Sequence, residues 1–166
     1  MSRILLASLI AFPLSSVMAM AEEAPENRHA IPADAKAILE KADKIELFAV
    51  FPEPTKAASE VRFHGWNTLG QTTLEKAEAR KALVAAFEKG VAEYKQEGAK
   101  CFEPRHAIRA THDGKTADFL ICFECAHVYV YVEGQPERRA LVSHAPAELF
   151  NKMLKDAKVK VDEPAK

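Results

Sequence analysis

The sequence predicts an α+β fold, a single domain with a mostly antiparallel sheet of about five or six strands packed against two or three helices. Three observations carry that expectation. A chain of 166 residues with 48% hydrophobic, 8% aromatic and 28% charged residues has the size and composition of one globular domain. A helical stripe runs through Arg80, Leu83, Val84, Phe87, Val91 and Tyr94. Beyond it the period changes to strand-like alternation on both sides of His112-Asp113-Gly114-Lys115, a strong hairpin signal. No internal repeat and no interdomain linker divides the chain.

Residues 1–21 are expected to be a secretory signal peptide. Arg3 precedes an apolar run from Ile4 to Leu14, and Ala19-Met20-Ala21 places small residues at the −3 and −1 positions of a cleavage site. The run is too short to span a bilayer as a mature helix, and no second run of spanning length follows. The mature chain then starts at Glu22, has no transmembrane segment, and belongs in a bacterial periplasm or outside the cell. No cysteine lies at the cleavage region to accept a lipid. Residues 22–31 are polar, contain Pro25 and show no period, which predicts a flexible N-terminal arm ahead of a single domain over 32–166.

Pro32 suits the first turn of a helix running to about Ala42, with Ile38, Leu39 and Ala42 on one face. Ile45 to Phe51 is a short apolar strand stopped by Pro52-Glu53-Pro54, and Val61 to Trp66 alternates as a second, with Gly70 marking the turn out. Thr72 with Glu75 three residues on has the pattern of a capping box, which opens a helix over Thr72 to Gly98, with Gly98 at C′. Gly90 inside it costs about 1 kcal/mol relative to Ala, which predicts a kink or a close packing contact.

Arg105 to Thr111 and Thr116 to Glu124 form the hairpin. A two-residue turn at Asp113-Gly114 sets Thr111 opposite Thr116, Arg109 opposite Asp118 and Ile108 opposite Phe119, pairing like with like or charge with charge. Val128 to Val132 continues as strand, Gly134-Gln135-Pro136 turns the chain into Arg138 to Val142, and a last helix from about Pro146 carries Leu149, Phe150, Met153 and Leu154 inward.

Several function classes are excluded or unsupported. A formal charge of −1, falling to −2 when Arg3 is removed with the leader, offers no basic excess for binding nucleic acid through its phosphates. The apolar content is too high for a disordered chain. No G-x-S-x-G elbow, phosphate loop, H-E-x-x-H or dinucleotide fingerprint is present.

The densest chemistry lies in C-x4-H-x15-C-x2-C, formed by Cys101, His106, Cys122 and Cys125, with all three cysteines of the chain inside it. In an exported protein two of them are expected to form a structural disulfide, leaving the third buried or free. Thiolate and imidazole also suit zinc or copper, as a closed Cys3His site, with His127 an alternative fourth ligand. A redox role for Cys122 and Cys125 lacks the helix N-terminus that usually activates a C-x-x-C pair. In a regular strand these two point to opposite faces, so they meet only across a bulge or turn. The register places His106 on the face of Phe119, Phe123 and Cys125, and Cys122 with Arg105, Arg109 and Asp118. Pro104 cannot donate to a ladder, so the chain near Cys101 is expected to leave strict pairing. A Cys101–His106 nucleophile pair has no orienting Asn or Asp in the sequence pattern. His64 is read as a surface or cleft residue.

The run Cys101-Phe102-x-Pro104-Arg105-His106-x-Ile108-Arg109 followed by Ile121-Cys122-Phe123-Glu124-Cys125 resembles the signature of a group of small exported bacterial proteins, and the likeness extends to Phe63-x-Gly65-Trp66, Leu69-Gly70 and the long helix. It implies one domain instead of two and no particular activity. The expected function is a noncatalytic module that binds a protein or small ligand in the cell envelope, its fold fixed by the Cys/His cluster and its contact surface around Trp66, Arg105 and Arg109. The alternatives are a zinc- or copper-binding envelope protein and, behind it, a thiol oxidoreductase or thiol hydrolase.

Overall fold

The computed structural model describes residues 29–53, 62–94 and 98–162. The leader at 1–21, most of the predicted arm, Val61 and residues 95–97 lie outside the described residues. Ten elements follow in order: α1 (Ala33–Lys41), β1 (Lys44–Val50), β2 (Arg62–Phe63), β3 (Trp66–Thr73), α2 (Ala77–Glu93), β4 (His106–His112), β5 (Lys115–Cys122), β6 (His127–Val132), β7 (Arg138–Leu141) and α3 (Ala147–Asp156). The strands form one seven-stranded sheet, in the order β2-β3-β1-β4-β5-β6-β7. Every neighbouring pair is antiparallel. This is the α+β architecture the sequence predicts, with a larger sheet.

The β4–β5 hairpin has the predicted register throughout, from His112↔Lys115 through Arg109↔Asp118 to His106↔Ile121. Its turn is closed by Asp113 (φ 47) and Gly114 (φ 74), both left-handed as a type I′ turn requires. Alternation then assigns each strand residue to a face. Ile45 and Leu47 of β1, Ile108 of β4, Phe119 and Ile121 of β5, and Val128 and Val130 of β6 meet Ile38 and Leu39 of α1, Leu83 and Phe87 of α2, and Phe150 and Leu154 of α3 in the main core. The Phe87 ring lies 5.6 Å from Phe119 and 6.3 Å from Phe150. Each such buried aromatic stabilises the fold by about 1.5–3 kcal/mol.

Four expectations are corrected. The single strand predicted over Val61–Trp66 is a hairpin, because His64 (φ 45) and Gly65 (φ 87) both turn left-handed between β2 and β3. Gly70 does not end that segment but lies within β3, opposite Ala49. Thr72 and Thr73 do not cap a helix; they pair with Leu47 and Glu46, and α2 begins only at Ala77 and closes at Glu93, short of Gly98. The arm is anchored at its end, where Ile31 is buried in the core and the His29 carbonyl accepts the Leu141 amide at 3.3 Å.

Candidate functional site

All three helices pack on one side of the sheet. The other side carries a second apolar cluster, Phe48, Val50, Phe63, Ala107 and Leu120, with Trp66, Phe102, Tyr129 and Tyr131 half-buried against it. No helix among the described residues joins this cluster. Its aromatic rings are ordered in two chains. Phe102 stacks on Tyr129 at 3.9 Å and meets the edge of Trp66 at 5.9 Å, while the Arg139 guanidinium sits 4.5 Å above the Tyr129 ring. His64 stacks on Tyr131 at 3.7 Å, Phe63 packs on Phe48 at 4.8 Å, and Arg109 lies 5.3 Å from the Phe63 centroid.

Asp118 is the polar centre of this face. Its carboxylate accepts Arg109 Nε at 2.9 Å and the Arg109 terminal nitrogen at 2.7 Å, and stands 2.7 Å from His64 Nε2. Burial opposes ionisation of Asp118, but the bonds from Arg109 and His64 outweigh it and hold its pKa below the ordinary carboxylate value. The same pairing raises the pKa of Arg109. Arg105, further along β4's approach, is paired with Asp162 at 3.1 Å. Trp66 and Arg109 share one side of the sheet, whereas Arg105 precedes β4 and is tied to the segment that follows α3.

The sulfurs sit at one end of that side. β5 stops at Cys122, and Phe123 to Ala126 form a turn in which Ala126 adopts φ 59. The turn, not a continuing strand, brings Cys125 round to Cys122, and the two are joined as a disulfide with their Cα atoms 5.2 Å apart. This corrects the expectation that the strand reaches Glu124 with Cys125 on the face of His106. Cys101 is a free, exposed thiol, and its Sγ lies 3.2 Å from Cys125 Sγ. The Cys125 amide donates to Cys122 Sγ at 3.0 Å, and the Glu103 amide to Cys125 Sγ at 3.4 Å.

Residues 98–101 are held against this turn by non-local bonds. The Ala99 amide donates to the Cys125 carbonyl at 3.0 Å, and His127 Nε2 donates to the Ala99 carbonyl at 2.7 Å. Gly98 lies so close to the His127 ring that a Cβ there would collide with it. His127 faces Cys122 across the β5–β6 ladder.

His106 is not brought to the cysteines. It points to the helix-covered side, packs on Phe123 and Phe150 with ring centroids at 5.2 and 5.8 Å, and donates Nε2–H to Asn151 Oδ1 at 2.8 Å. Among the described residues, the one grouping of three metal-type side chains within reach of a single ion is Asp43, His112 and Asp113, at the exposed β4–β5 turn.

Sequence reasoning missed Phe102, Tyr129, Tyr131, Arg139 and His64 as parts of the helix-free side. A signal for the tyrosines was present: in Val128-Tyr129-Val130-Tyr131-Val132 the valines point to the core, which leaves both tyrosines on the opposite face. No known protein family, characterised protein or solved structure matches the chain. No helix among the described residues is long and apolar enough to cross a membrane.

Proposed function

We propose that the chain is a noncatalytic binding module whose contact surface is the helix-free side of the sheet and whose partner is a protein. The observation that carries this reading is the gathering of Trp66, Phe102, Tyr129 and Tyr131 with Arg109 and Arg139 on the sheet face that no helix among the described residues covers. Trp, Tyr and Arg supply most of the binding energy at protein interfaces. Their rings are already stacked on one another, so little side-chain freedom is left to lose on binding. The leader at residues 1–21 is cleaved near Ala21 and the module acts in the periplasm or outside the cell, a setting that the Cys122–Cys125 bridge favours.

A photoactivatable residue placed at Gln71 or Arg139, on this side, tests the reading against the same residue at Lys89 of α2 or Lys152 of α3. In the producing cell the sheet positions are expected to give one defined protein adduct and the helix positions none. With that partner in hand, Trp66→Ala is expected to weaken binding by about 30-fold or more, as loss of an interface anchor does. Adducts of equal yield from both sides, or none from the sheet side, would overturn it.

A further inference from the structure

We propose that Cys101, Cys122 and Cys125 form a thiol–disulfide exchange centre, in which Cys125 trades its bridge partner between Cys122 and Cys101. The inference is independent of the binding surface and goes beyond it.

Three features of the cluster fit the reaction. Cys101 Sγ stands 3.2 Å from Cys125 Sγ, within the ~3–3.5 Å that separates reacting atoms in a near-attack arrangement. Cys101 is exposed, so its proton can leave to water, and the thiolate is the attacking species. The bond it would break is Cys122–Cys125, and the departing Cys122 sulfur already accepts the Cys125 amide at 3.0 Å. That N–H stabilises the thiolate as it forms, and a more stable leaving thiolate departs faster.

The step balances without any oxidant. The Cys101 thiolate attacks Cys125 Sγ, the Cys101–Cys125 bond forms, the Cys122–Cys125 bond breaks, and Cys122 leaves as a thiolate that takes a proton. One disulfide and one thiol are present before and after. The location of the thiol changes: it is exposed at Cys101 in one isomer and buried at Cys122 in the other. In the first isomer the centre reacts with a disulfide from solution. The Cys101 thiolate attacks it, forming a mixed disulfide at Cys101 and releasing one external thiol. In the second isomer no thiol is offered to solvent. Residues 98–101 are kept in position for exchange by the Ala99 amide on the Cys125 carbonyl and by His127 on the Ala99 carbonyl.

The test is disulfide mapping of the purified oxidised protein held in a glutathione redox buffer, quenched with acid, unfolded and alkylated. Both Cys101 and Cys122 are expected to carry label, in separate molecules, with the same distribution whether the protein starts oxidised or reduced. Excess glutathione disulfide is expected to add one glutathione, at Cys101 only. Cys101→Ser is expected to keep the Cys122–Cys125 bridge and take up neither label nor glutathione. Cys122→Ser is expected to lose two hydrogens on oxidation as Cys101–Cys125 forms. Label confined to Cys101 at every time in the unmodified protein overturns the proposal, whether or not the variants fold. A folded Cys122→Ser protein that remains a dithiol under the same oxidant also overturns it.

Discussion

His106 is an acid-sensitive residue of the core. It is 5% exposed, and its burial among Phe123 and Phe150 pulls its pKa down to about 4 from an ordinary 6.5, against the opposing pull of the Asn151 bond. The unfolded chain therefore takes up this proton at a higher pH than the folded one. Stability from the neutral ring is complete above pH 6.5 and is lost as pH falls from there to about 4, by an amount on the order of 3 kcal/mol. Urea unfolding across that window is expected to show the loss in the unmodified protein and a flatter slope in His106→Gln, which keeps a donor for Asn151. Equal slopes would reject the assignment. Asp118 works in the same sense at lower pH: its lowered pKa adds stability above the ordinary carboxylate range, lost as pH falls into stronger acid.

Close approach between elements explains Gly90. A Cβ at this position in α2 would lie 2.6 Å from Pro146 Cγ at the start of α3 and 3.2 Å from Val142 Cγ2. The Gly90 carbonyl also accepts the Ser143 amide at 2.9 Å. Gly90→Ala is thus expected to destabilise the protein by about 1–3 kcal/mol through overpacking, outweighing the roughly 1 kcal/mol that alanine gains in a helix. A higher melting temperature for the variant would contradict this packing account. The close contact was legible in the sequence as an alternative to a kink, since glycine inside so strong a helical stripe needs a reason.

The β4–β5 register was legible for a local cause: Asp113-Gly114 selects the turn, and the turn counts off every pair. The start of α2 was not. Thr72 and Glu75 fit a capping box, but pairing of Thr72 and Thr73 with β1 uses the same residues, and tertiary pairing prevails over local pattern. Nor was the left-handed turn at His64 legible, because positive φ is uncommon in any non-glycine residue, and the contacts that hold His64 here, with Tyr131 and Asp118, are long-range.

At the scale of the molecule, the sheet has two unlike sides, one sealed by helices and one bearing rings and guanidinium groups. Its stability rests on the sealed side. The Cys122–Cys125 bridge spans a sequence separation of 3, and a loop so short stabilises by only about 2 kcal/mol in the chain-entropy view. Denaturant unfolding with and without reductant is expected to differ by no more than that, with the fold retained when reduced. Collapse on reduction would mean that the cysteines hold the fold, as the sequence suggests. The second side was partly legible, through Trp66 and Arg109. The meeting of Cys101 with Cys125 was not, because residues 98–105 have no period of their own and are placed by bonds to a turn more than twenty residues away.

The ends of the sheet matter for how copies of the chain behave towards one another. The outermost strands are β2, of only two residues, and β7, of four. β7 carries Arg138 and Arg139, and its Leu141 amide is already taken by the His29 carbonyl. Fibre growth in β-rich proteins proceeds by adding strand to strand along an open rim, and charged, very short rims deny it a template. Concentrated protein is therefore expected to resist assembly through its β7 edge, even though no helix among the described residues covers the second side of that sheet.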